Sequence, residues 1–101
     1  MKYKVGDIVV VLKEKEILKY YDKNRHGDYG RKNGYPYLFF INRDMAKAFG
    51  KKAKIESIDK RFNSYHLKLN NDDNEFCHWH WNEELLIPYN KKKKIKMKIK
   101  Y

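Results

Sequence analysis

The chain has 101 residues, a net charge of +11 and a single cysteine. That length allows one domain with one compact core, and the lone Cys77 excludes an intrachain disulfide, as expected in a reducing cytosol. Residues 91–101 carry seven Lys and no acid, which leaves +4 for residues 1–90, so the domain is mildly basic and the tail is a separate electrostatic object.

Residues 8–12, Ile-Val-Val-Val-Leu, follow a Gly6-Asp7 turn signal. The β-branched run favours a strand over a helix at this length. Residues 13–21 read as one helical turn or an extended arm, with Ile17, Leu18 and Tyr21 at spacings that share a helix face. Residues 22–37 read as one long loop, because Gly27, Gly30, Gly34 and Pro36 stand among Asn, Asp, Arg and Lys. Loops of this length in small domains are commonly functional. Residues 38–41 form a short apolar strand or the approach to a helix. Asn42 caps a predicted helix of about two turns, with Met45, Ala46 and Phe49 on one face and Gly50 as its stop.

Residues 53–59 alternate as a strand, with Ala53, Ile55 and Ser57 opposed to Lys54, Glu56 and Ile58. Tyr65, Leu67 and Leu69 alternate with His66 and Lys68 in the next strand. The turn cluster at 70–74 then leads into a partner strand at 76–81, giving a hairpin. Residues 82–85 read as a single helical or 3₁₀ turn, and Leu86 and Ile87 close the domain at Pro88. In the tail, Ile95, Met97, Ile99 and Tyr101 alternate with lysines at a strand period. The first residues run into a strand pattern containing Asp7, without an apolar signal core, and no run is long enough to cross a bilayer. A soluble, cytoplasmic protein is expected.

These pieces are a Val5-Gly6-Asp7 opening strand, a Phe49-Gly50-Lys51 segment before an alternating strand, and a Trp79-x-Trp81-x-x-Glu84-Leu85-Leu86-x-Pro88 close. Their order across residues 4–89 resembles small SH3-like barrel proteins of phage and bacterial origin. The resemblance implies an all-β, SH3-like small barrel over residues 1–90, with one short helix, a long inserted loop and a basic tail at 91–101. It also implies binding, inhibition or scaffolding, and no catalytic residue.

Cys77, His78 and His80 carry zinc-ligand chemistry. In a regular strand, however, Cys77 faces away from both histidines. Beyond these, His66, His26 or carboxylates would have to complete the set. The plainer reading, a hairpin with Cys77 as a small core residue, is preferred, so no metal and no cofactor is expected. Trp79 and Trp81 share one strand face and are expected in the core rather than as a stacking platform. The acids at 72–75 lack calcium-loop spacing, and Glu83-Glu84 is a turn rather than an acid–base pair. With no phosphate loop and no nucleophile elbow, the expectation is a protein that is not an enzyme.

Aromatics and cations interleave at Tyr20, Tyr21, Arg25, Tyr29, Arg31, Lys32, Tyr35 and Tyr37. This composition suits a nucleic-acid surface and equally a protein-binding one. Lys91, Lys92, Lys93 and Lys94 open the tail, which serves as a solvated end, a phosphate contact or a strand added to a partner sheet. The expected function is a non-enzymatic binding module, a phage-encoded inhibitor or adaptor of anti-CRISPR or other anti-defence type, acting on a host protein or nucleoprotein in the host cytoplasm. The alternative is direct DNA or RNA binding through the basic aromatic surface.

Overall fold

A computed structural model describes residues 2–32, 40–69 and 79–89 of the protein. The expected turn at 70–74, the first half of the strand at 76–81, and Tyr35, Tyr37, Cys77, His78 and Lys91 to Lys94 lie outside the described residues.

The chain is mostly β. In order it forms β1 (Ile8–Val11), α1 (Glu14–Ile17), β2 (Tyr21–Lys23), β3 (Tyr29–Arg31), a 3₁₀ turn (Met45–Ala48), β4 (Lys52–Asp59), β5 (Ser64–Leu69), β6 (Trp81–Asn82), a second 3₁₀ turn (Glu83–Leu85) and β7 (Leu86–Pro88). Five strands make one antiparallel sheet in the order β6-β5-β4-β1-β7, and β2-β3 make a separate hairpin. No strand pairing among the described residues joins β6 to β7.

The strand periods explain which faces are buried. In β1, Val9 and Val11 are buried while Ile8 is exposed. In β5, Tyr65, Leu67 and Leu69 point inward. Together with Ile55, Ile41, Trp81 and Leu86 they form the core. Trp81 is fully buried and Trp79 packs half-buried against the same cluster, so both tryptophans sit where the sequence placed them.

Three local expectations are corrected. Residues 22–37 are not simply a loop, because 21–31 fold into the β2-β3 hairpin, which Tyr29 extends by bridging to Ile41. The two-turn helix after Asn42 is a four-residue 3₁₀ turn, although Asn42 Oδ1 does accept the Met45 N–H at 2.8 Å. The straight alternation across 53–59 fails at Ser57. A bulge between Ile55 and Ser57 flips the phase, so Ser57 is exposed and Ile58, opposite Tyr65, packs on the core.

The terminal segments are tied to each other. The Tyr3 N–H donates to the Tyr65 hydroxyl at 3.1 Å, and that hydroxyl donates to Glu83 Oε1 at 2.6 Å. The Lys2 N–H donates to the same carboxylate oxygen at 2.5 Å. Residues far apart in sequence thus share one hydrogen-bonded junction beside the second 3₁₀ turn. Among the described residues no helix is long and apolar enough to cross a membrane.

Candidate functional site

A groove of about 300 Å³ opens between α1, the β2-β3 hairpin and the 3₁₀ turn Glu83–Leu85. Ile17, Tyr21 and Leu85 are buried and form its floor with the half-buried Leu12. Ile17 closes the short helix and Tyr21 opens the strand after it, while Leu18, expected on a helix face shared with them, is exposed. Tyr20, one residue before β2, turns the other way and stands 62% exposed at the groove edge. Glu84 and Arg31 supply the polar wall.

The polar wall is a satisfied network. The Tyr21 hydroxyl donates to Glu84 Oε1 at 2.7 Å, and the Arg31 guanidinium bonds Glu84 Oε2. Burial first, and then the donated bond to Glu84, hold the Tyr21 phenol well above its ordinary range. Arg31 therefore arrives at the groove with its charge already balanced by a carboxylate.

The same pattern repeats one residue pair along on the same face of the hairpin, toward its turn. The Tyr29 hydroxyl bonds Glu14 Oε2, and Lys23 Nζ lies 3.5 Å from that oxygen. Burial and this bond push the Tyr29 phenol up to about 12, and the bond holds the Glu14 carboxyl below its usual range. The Tyr29 ring packs edge-on against Phe49 with centroids 5.2 Å apart.

The aromatic–cation residues read from the sequence therefore separate. Tyr20, Tyr21 and Arg31 converge on the groove, with Lys32 adjoining through its N–H bond to the Tyr20 carbonyl at 2.9 Å. Tyr21 presents only part of itself to the groove, and Tyr29 is a core residue, so neither offers an open ring face to a partner. Arg25 is exposed on the turn at the opposite end of the hairpin, beside His26. That turn is organised by Asn24, whose Oδ1 accepts the N–H groups of His26 and Asp28 at 2.8 and 3.0 Å.

The sequence reading missed Leu12, Ile17, Glu84 and Leu85 as groove residues. A helical spacing groups Ile17 with Tyr21 in the sequence, but the helix ends at Ile17 and Tyr21 belongs to a strand, so the fold and not that spacing brings them together. Glu84 carried none, because its partner Arg31 is 53 residues away. No family model, curated protein or solved structure matches this chain.

Proposed function

We propose that the protein is a non-enzymatic binding module that holds an apolar-bearing segment of a partner protein in the groove beside Tyr20. The observation that carries this reading is the groove itself, with a buried apolar floor and one large aromatic ring left exposed at its edge. Binding sites are commonly concave and mainly apolar, with a few placed polar groups. Tyrosine at such an edge supplies contact area with little entropy to lose. The pairing of Arg31 with Glu84 favours a protein partner over phosphate, since a phosphate would have to displace a carboxylate already in place.

An SH3-like small barrel is the architecture proposed for this module. In support, β1 is flanked by β4 and by the last strand β7, and a bulge bends the long β4-β5 pair. The anti-defence assignment, a phage-encoded inhibitor or adaptor acting on a host protein or nucleoprotein, rests on the resemblance of residues 4–89 and belongs to the same proposal.

The test is a tagged pull-down of the full chain from host lysate, with and without nuclease, run beside Tyr20→Ala. A protein retained after nuclease and lost with Tyr20→Ala supports the reading. Retention unaffected by Tyr20→Ala removes the groove from the account. If everything recovered disappears with nuclease, the chain binds nucleic acid directly and the protein-target reading fails.

A further inference from the structure

A second constellation lies away from the groove, on strands β4 and β5 and at the residue just before β6. The antiparallel register pairs Ser64 with Asn82 and Tyr65 with Trp81. Extending it by one residue sets His66 opposite His80, and the two imidazoles lie 4.7 Å apart between centroids. On the other side of β5, Asp59 pairs with Ser64. One ligand atom from each of Asp59, His66 and His80 lies within 4.8 Å of the others.

We infer that Asp59, His66 and His80 form a three-ligand site for a zinc-type divalent ion. Two imidazoles and one carboxylate are a donor set that first-row divalent ions accept. Zinc bonds of about 2.0–2.2 Å in a tetrahedral array set such donors about 3.3–3.6 Å apart, so the ligand atoms must close by up to about 1.5 Å. Side-chain rotation on an exposed His80 supplies that movement. Three protein ligands leave one position open to water or to a partner's side chain.

Two further contacts fit this chemistry. His80 Nδ1 lies 2.7 Å from Ser64 Oγ, and Ser64 is buried. An ion selects the tautomer in which Nδ1–H donates to that oxygen, leaving the Nε2 lone pair for the metal, as supporting partners of metal-bound histidines do. The Phe62 ring meets the His80 ring edge-on at 5.2 Å and flanks the site with an apolar group. His66 Nδ1 is buried with no hydrogen-bond partner among the described residues. A bound ion or its water is a partner for such an atom.

Arg61 is the competitor. Its backbone N–H and Nε donate to Asp59 Oδ1 at 3.0 and 3.3 Å, and Nη2 lies 3.2 Å from Oδ2. Its side chain is 80% exposed, so the guanidinium can return to water when an ion takes the carboxylate.

The experiment titrates zinc chloride into the chelator-treated full chain by calorimetry and follows the histidine ring nitrogens by NMR. The expected result is about one ion per chain, with shifts at the rings of His66 and His80 and none at His26. His66→Gln and His80→Gln should each weaken binding by more than the about 10–100-fold that loss of a supporting partner costs. Arg61→Gln should tighten it, which a purely structural role for these histidines does not predict. Ring shifts confined to His26, a response only at Cys77, or no binding at all would overturn the inference. So would unchanged affinity in both histidine variants. The ring spectra of the unaltered chain decide the matter even if a variant fails to fold.

Discussion

The Tyr21 hydroxyl donates to Glu84 Oε1 at 2.7 Å across 63 positions of sequence, joining the hairpin to the turn before the last strand. The ring is buried while the carboxylate reaches solvent. Tyr21→Phe keeps the ring and removes the donor. The expected cost is about 1–2 kcal/mol, the range of a hydrogen bond to a charged group discounted for an acceptor that water can reach. Urea denaturation of the two proteins reads it. No change in midpoint would mean that the hairpin is held by ring packing alone.

Alkali should unfold the protein through the buried phenols. Tyr29 rises from 10.0 to about 12 in the fold, chiefly by burial and then through its bond to Glu14, and Tyr21 moves in the same direction. Above pH 10 the unfolded chain loses these protons while the folded chain keeps them. The stabilisation is therefore complete below pH 10 and is lost as pH rises toward 12. Thermal melts across that interval, read with tyrosinate absorbance, should give a falling Tm. Tyr29→Phe should flatten the fall, and an identical slope in the variant would remove Tyr29 as its source.

The acid limb has the opposite sign. Phenol donors hold two carboxyls below their ordinary value of 4.5, Glu14 through Tyr29 and Glu83 through Tyr65, with the Lys2 N–H also donating to Glu83. The unfolded chain takes up protons first as pH drops. Stability is thus present above about pH 4.5 and declines below it. The Glu14 and Tyr29 effects are two sides of one bond, so Glu14→Gln should weaken both limbs together. Melts from pH 6 down to pH 3 check this, and a variant with an unaltered acid limb would exclude the Glu14 carboxylate.

Much of the β framework was legible because its signals are local. The run at 8–12, the alternation at 64–69 and the turn at 82–85 each depend on residues a few positions apart, and each appears as an element. Phase was less legible. One bulged residue exchanged the roles of Ser57 and Ile58, and nothing in an alternating string marks where the ladder slips. The hairpin at 21–31 was hidden because its glycines and polar residues resemble a loop, while the burial of Tyr21 and Tyr29 depends on Glu84 and Glu14. The groove shares that difficulty. Its polar wall forms from Arg31 and Glu84, which only the folded chain brings together.

Trp81 and Tyr20 should separate stability from binding. Trp81 is fully buried in the core, and truncating it to Ala is expected to cost about 3–5 kcal/mol. A small domain with a few kcal/mol in hand would be largely unfolded by that loss. Tyr20 is 62% exposed, so Tyr20→Ala should change stability by no more than about 0.5 kcal/mol. Denaturant midpoints compare them directly. A large cost at Tyr20 would identify it as a packing residue and make it useless as a binding probe.

Gly50 carries a conformational demand that can be tested without touching any side-chain contact. It follows the 3₁₀ turn Met45–Ala48 by two residues with φ of +76°, and its N–H donates to the Val11 carbonyl at 2.9 Å. This places the chain at the entry to β4 beside β1. A Cβ at Gly50 would sit 3.3 Å from Lys13 Cγ, a side chain free to yield, so the dominant cost is the left-handed backbone. Gly50→Ala should destabilise the fold by about 1–2 kcal/mol. Gly50→Asn should cost less, because asparagine tolerates that region better. Chemical denaturation of the three proteins should rank them Gly, Asn, Ala. Equal stability for Ala and Gly would mean that the backbone at this corner relaxes to negative φ without disturbing the β1–β4 pairing.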